Sequence, residues 1–189
     1  MEGVIALSKA VAEPSLQARF EDLVARHRDR AVRLAWRLVG GDQAAAEDVT
    51  QDALVRAYRG LRGFRGDARI DTWFYRIVVR QAHSYRRWRR VRERFGRIDP
   101  EVAGDPAPVP AGDPALRQCI ARALARLPRT QREAFVLVHM EGFTIREAAG
   151  IMGRASGTVN SHLHRALAKL RTELEDAFEG STEEIDRDT

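Results

Sequence analysis

Residues 96–114 cannot join a packed helix or a core. The run GRIDPEVAGDPAPVPAGDP holds five prolines, three glycines and four acids, which removes backbone donors and resists burial. It reads as a linker. It splits a chain of 189 residues into two pieces, each long enough for only a few helices. The piece before it shows helical spacing throughout, and so does the piece after it. No convincing strand-like alternation occurs in either. The expected fold class is all-α: two small helical domains joined by a Pro/Gly/acid-rich linker, the second ending in a helix-turn-helix.

In the first piece, Phe20, Leu23, Val24, His27, Ala31, Leu34 and Leu38 fall on one helical face. His27 on that stripe reads as a core or boundary histidine rather than a ligand. Gly40-Gly41-Asp42 is a turn, and Asp42 can cap the next helix. That helix turns Ala45, Val49, Ala53, Leu54, Ala57 and Leu61 inward, and Glu47, Asp48, Gln51 and Asp52 outward. A loop over 61–69 carries Gly63 and Gly66. The stretch DTWFYRIVVRQAHSYRRWRRVRER, 71–94, then runs from an aromatic end into an arginine-rich end on one helix. Arginines supply phosphate contacts and aromatic faces can hold unstacked bases. An aromatic pair at helical spacing is more often core, and an arginine run is often only a solvated face. Their adjacency on one helix is what favours nucleic acid.

In the second piece, Asp113-Pro114 suits a helix start. Leu116, Ile120, Leu124 and Leu127 form the expected inward face, and Pro128 ends the helix. Thr130 and Glu133 have capping-box spacing, opening a helix through Phe135, Leu137 and Val138 that stops at Gly142. Thr144 and Glu147 form a second such box before a short helix ending near Gly153. Ser156 is expected to cap the last helix, with Val159, Leu163, Ala166, Leu167, Leu170 and Leu174 inward. Ala148 and Ala149 are small enough for a close crossing, which gives 144–171 the proportions of a helix-turn-helix. Thr158, Asn160, Ser161, His162 and Arg165 are expected to point away from the apolar stripe, as a recognition helix requires. The alternative is an ordinary helical hairpin.

The formal charge is +5, concentrated around 76–97, whereas 173–189 is acidic. This favours an anionic partner. The single cysteine, Cys119, excludes an internal disulfide and a cysteine metal pair. It fits a reducing cytoplasm and reads as a buried thiol. The N-terminus has no signal-peptide pattern, and the longest apolar run, 134–138, is far too short to cross a bilayer. Residues 150–158 lack the lysine of a phosphate-binding loop. His162 and His164, two apart, lie on different helix faces. No catalytic residue, metal site or cofactor is therefore expected.

Two motifs in order carry a family resemblance. Ala46-Glu-Asp-Val-Thr-Gln-Asp52, with Phe64-Arg-Gly and Asp71-Thr-Trp-Phe-Tyr-Arg-Ile77, resembles the second domain of bacterial sigma factors. Thr144-Ile-Arg-Glu-Ala-Ala149 and Ser156-Gly-Thr-Val-Asn-Ser-His-Leu-His-Arg-Ala166 resemble their fourth domain. The order and the short join are similar to the extracytoplasmic-function (ECF) group of the sigma-70 family, group 4. The resemblance implies sigma domain 2 over 16–95, a linker over 96–114 and sigma domain 4 over 115–175, leaving an acidic tail over 176–189; the acidic stretch 173–189 reads as solvated and disordered. It implies that Glu47, Asp48, Gln51 and Asp52 dock on core RNA polymerase. Phe64, Arg65, Arg69, Thr72, Trp73, Arg76, Arg80, Ser84, Arg86, Arg87 and Arg90 would bind and open the −10 element. Arg146, Ser156, Thr158, Asn160, Ser161, His162, Arg165 and Arg171 would bind the −35 element. Arg80, Ser84, Asn160 and His162 depart from residues common in relatives, which affects promoter preference rather than class. Core polymerase, promoter DNA and an anti-sigma factor are the implied partners, with no membrane insertion. The competing readings are an autonomous helix-turn-helix regulator working without polymerase, an enzyme acting on nucleic acid, and a membrane-surface protein. At about 3.1 Å per extended residue the linker would reach roughly 60 Å, enough to span two promoter elements.

Overall fold

The computed structural model describes residues 15–66, 69–94 and 114–185, with side-chain surroundings defined for 15–66, 69–94 and 118–173. The linker expectation therefore lies outside the described residues except at Pro114. So do the expected inward positions of Leu116 and Leu174. Among the described residues all regular structure is helical: α1 Leu16–Val39, α2 Gln43–Leu61, α3 Ile70–Arg94, α4 Pro114–Arg126, α5 Arg129–Phe135, a π-helical turn Val136–Met140, α6 Ile145–Met152 and α7 Ser156–Ile185.

The first unit is a bundle of α1, α2 and α3. Ser15 accepts a hydrogen bond from the Ala18 amide and starts α1; Asp42 does the same for Ala45 and starts α2. Between α1 and α2 the chain reverses through Gly40 and Gly41 at φ +98° and +89°, a region open to glycine at no steric cost. Leu23, Leu34, Phe74, Tyr75 and Val78 fill the middle, and α2 approaches through Ala45, Ala46, Ala53 and Ala57. His27 is the expected boundary residue. Its Nδ1 meets the Tyr75 hydroxyl at 3.2 Å and its Nε2 lies 3.1 Å from Asp71.

The second unit packs α7 against α4, α5 and α6. Several expectations fail here. Ile120 and Cys119 are exposed, while Ala121 and Leu124 are buried; α4 is turned so that Ala121 sits under the Gly41 turn. Leu167 is exposed beside the buried Ala166 and Leu170. The Thr130–Glu133 box does not form: Pro128 precedes α5 with no side-chain cap. The Glu133 carboxylate is instead buried against His83 of α3, with Arg129 3.4 Å away. A tertiary partner outcompetes the local one. By contrast, the Thr144–Glu147 box is complete, and Gly153 closes α6 at φ +64°. Part of the expected disordered tail is helical, since α7 continues to Ile185. Ala155, whose carbonyl accepts from the Val159 amide at 3.1 Å, takes the cap position expected for Ser156.

The two units share one hydrophobic core along a seam of α3 on α6 and α1 on the π-helical turn. At one end the Glu141 carboxylate, 4% exposed, faces two guanidiniums of α1, Arg30 and Arg37. Arg30 also lies over the Phe143 ring, 4.5 Å from its centre, and Tyr75 meets Phe143 edge-on. At the other end Arg132, 1% exposed, donates to the carbonyls of Leu124, Ala125 and Leu127 in the second unit and of Leu38 in the first. Those carbonyls lie at the C-terminal ends of α4 and α1, where partial negative charge collects. One buried guanidinium thus ties two helix ends together. Burial and the nearby Arg86 push its pKa down to about 10, so it stays charged at neutral pH.

Candidate nucleic-acid interface

The helix-turn-helix is built from local signals. The capping box fixes the start of α6, Gly153 reverses the chain, and Ala148, Ala149, Ile151, Val159, Leu163 and Ala166 form the buried joint. At about 100° per residue, the face of α7 opposite that joint is centred on Ser161, with His164 and Arg165 to either side. Thr158 and Asn160 flank it. Arg146, Ser156, Thr158, Asn160, Ser161, Arg165 and Arg171 are all exposed, as expected. His162 departs from expectation. It is half-buried, and its Nδ1 is shut away from solvent without a hydrogen-bond partner among protein groups. His164 is exposed and stands where His162 was expected. The helical wheel could have found this, because position 162 lies near the Val159 edge of the stripe.

The acidic face of α2 is solvent-facing. Glu47, Asp48, Gln51 and Asp52 are exposed. Glu47 accepts a hydrogen bond from Gln43 at 2.7 Å. No salt bridge among the described residues involves Asp48 or Asp52, which leaves their charge open to a partner.

The expected −10 residues separate into three groups. Phe64 and Trp73 stack with ring centres 5.1 Å apart; Trp73 is half-buried, its edge against Gly60. Its place lies between the core and platform alternatives. A second group lies in the seam. Thr72 is buried with its methyl against Gly150, Arg76 Nε donates to the Gly150 carbonyl at 2.9 Å, and Arg69 lies 3.7 Å from Glu147 of α6. The third group is accessible: Arg65, Arg80, Ser84, Arg87 and Arg90 are exposed, and Arg86 is half-buried. Burial and then Arg90 lower the Arg86 pKa. Arg80 borders a hollow of about 670 Å³ between α2 and α3, shared with Asp52, Arg56, Arg59, Ile77 and Gln81. Arg56 and Arg59 were not singled out by sequence, although they sit one and two turns beyond Asp52 on the same helix. Farther along α3, Trp88 is half-exposed with the Arg92 guanidinium 4.1 Å above its ring.

Comparison with known proteins matches residues 23–92 to the sigma-70 region 2 model and residues 117–170 to the sigma-70 region 4 model. The ECF RNA polymerase sigma factor SigM of Mycobacterium tuberculosis is 39% identical over 154 residues, covering 80% of this chain and 74% of the relative. The RNA polymerase sigma-E factor of Streptomyces avermitilis is 36% identical, covering 82% and 85%. The ECF sigma-E factor of Escherichia coli is 33% identical, covering 79% and 83%. Among solved structures, the sigma factor RpoE in complex with the anti-sigma factor NepR from Bartonella quintana superposes with a TM-score of 0.68 at 29% identity, covering 83% of this chain and 97% of that one. CnrH in complex with the cytosolic domain of CnrY gives 0.63 at 29% identity, covering 85% and 90%.

Proposed function

Since the chain belongs to the ECF RNA polymerase sigma factors of the sigma-70 family, we propose that its two helical units divide promoter recognition between them. As a sigma factor it directs core polymerase to promoters and starts transcription. Its partners are core RNA polymerase and promoter DNA. RNA synthesis belongs to the core enzyme, and this chain supplies recognition without chemistry of its own. Its place of action is the cytoplasm, where promoters lie. Among the described residues no helix is long and apolar enough to cross a membrane.

The first unit, 16–95, docks on polymerase and handles the −10 element; the second, 115–175, handles the −35 element, with 96–114 joining them. Glu47, Asp48, Gln51 and Asp52 meet a basic partner surface, because carboxylates left without cations favour one. Asn160 reads a base edge, Ser161 and Arg165 stand at the groove, and Arg171 contacts phosphate. Phe64, Trp73 and the arginines of α3 hold the opened −10 strand and its upstream phosphates.

The observation that carries most weight is the contrast in exposure. The α7 face is open, whereas Thr72 and Arg76 of α3 are covered by α6. The docked arrangement is therefore a form that cannot use the whole −10 face, and engagement of the promoter separates the units. An anti-sigma protein is a fitting third partner, because the solved relative RpoE is held in complex with the anti-sigma factor NepR. The test is transcription from a two-element promoter by core polymerase plus the pure chain. Promoter-specific transcripts that vanish when either element is scrambled support the division. DNA binding by the free chain that is unchanged by polymerase favours an autonomous regulator.

A further inference from the structure

A cleft of about 260 Å³ opens at the seam. Its walls are Arg86, Arg89, Arg90 and Glu93 of α3, Gly40 at the end of α1, and Arg132 of α5. Four guanidiniums thus face one carboxylate. Glu93 is already engaged, 2.9 Å from Arg89, and Asp42 lies 3.9 Å from the same arginine. Arg132 spends its donors on carbonyls. That leaves Arg86 and Arg90 with no salt bridge among the described residues. The repulsion is legible in both partners: burial first and then a neighbouring arginine lower the pKa of Arg86 and of Arg132, with the Glu133 carboxylate opposing the shift in each. Like charges held together in a half-dry cleft are stabilised by a multivalent anion, and guanidiniums match phosphate oxygens in pairs.

We propose that this cleft is a binding site for a small phosphate anion of the pyrophosphate type, formed only when the two units are docked. The walls come from α1 and α3 on one side and from Ala125 of α4 and Arg132 of α5 on the other, so occupancy favours the docked arrangement by mass action. Arg86 and Arg90 are also assigned above to promoter phosphates, so the free anion and DNA compete for the same donors. Anion binding depends on the seam alone and is tested without polymerase; only the competition with DNA rests on the promoter reading.

The experiment measures binding of inorganic pyrophosphate to the full chain by calorimetry, at constant ionic strength, against sulfate and chloride. Arg90→Gln is the test variant, because Arg90 is exposed and its loss should leave the circular dichroism spectrum unchanged. Arg87→Gln removes the same charge from the same helix outside the cleft. Pyrophosphate should bind in preference to sulfate, and a short promoter duplex should displace it. Arg90→Gln should weaken binding about tenfold, the loss expected for one charge-assisted contact, and Arg87→Gln less than about twofold. Equal weakening by both variants would reduce the effect to diffuse charge. Binding of duplex without pyrophosphate binding would assign the arginines to DNA alone. Either result overturns the proposal.

Discussion

The two helices proposed to face DNA in this molecule, α3 and α7, are prepared differently. The outward face of α7 around Ser161 is solvent-exposed from Ser156 to Arg171 apart from the core positions and His162. The matching end of α3 is partly packed away: Thr72 touches Gly150 and Arg76 bonds its carbonyl. One reader is preformed and the other is folded into a seam. A preformed surface gives affinity at no conformational cost, whereas a masked one makes recognition depend on whatever opens the seam. The seam is mostly polar at its ends, with Glu141 between Arg30 and Arg37, and Glu133 against His83. Such contacts exchange for water or a charged partner more readily than an apolar interface.

The largest effect should come from removing the carboxylate that holds the seam. Glu141→Gln leaves two guanidiniums facing a neutral group. Loss of one partner of a fully buried pair costs about 3–5 kcal/mol, and partial exposure of Arg30 and Arg37 reduces this to roughly 2 kcal/mol. Urea denaturation should show the lower midpoint. Hydrogen exchange should rise at α6 and the π-helical turn before it rises in α1 and α2. A uniform increase would mean that the seam is not a separate weak point.

A second comparison sets docking against reading. Asp48→Arg should weaken core polymerase binding about tenfold, about 1.4 kcal/mol, by placing like charge at the interface. Helix content and binding of −35 duplex by the resulting complex, once formed, should not change. Unaltered polymerase affinity would remove α2 from that interface.

Within α7 the contrast narrows to two histidines. His164→Ala should reduce affinity for −35 DNA at constant stability, whereas His162→Ala should act on stability through the half-buried ring. Asn160→Lys should change which −35 sequences are selected, since a good base contact is worth about 1–3 kcal/mol of discrimination. Selection of the same sequences by both proteins would contradict direct readout at that position.

These differences mark what a sequence can carry. The Thr144–Glu147 box, the Asp42 cap and the glycine turns were legible because their partners lie within four residues. So was the apolar stripe of α7, to within one position. Ile120 and Ala121 are adjacent, and only the contact of Ala121 with the Gly41 turn decides which faces inward. The seam was not legible at all. Arg132 to Leu38, Glu141 to Arg30 and Glu133 to His83 join residues 94, 111 and 50 apart. Each of these side chains alone reads as ordinary surface charge, and Glu133 reads as a cap.

The smallest effect is on pH. Burial is the main cause of a lowered His27 pKa, with Asp71 opposing it and Arg30 and Arg26 adding to it. The unfolded chain then binds a proton more readily than the folded one as pH falls below 6.5. Stability is therefore full above that pH and declines below it. His27→Gln should flatten this acid limb in denaturation curves taken between about pH 7 and pH 5; an unchanged limb would assign it to other groups.

The masking of α3 by α6 is tested most directly by locking the seam. A Cβ added at Gly150 would lie 3.2 Å from the Thr72 Cγ2, the position a cysteine sulfur at 72 would take, and close enough for a disulfide. The variant is Thr72→Cys with Gly150→Cys, in a Cys119→Ser background to remove the exposed native thiol. Oxidised and reduced forms of this one protein are compared in transcription with core polymerase, so any loss due to Thr72 itself is common to both. The oxidised form should fail to open a two-element promoter, and reduction should restore transcription. Equal transcription by the oxidised and reduced forms would show that the −10 face works with the seam closed.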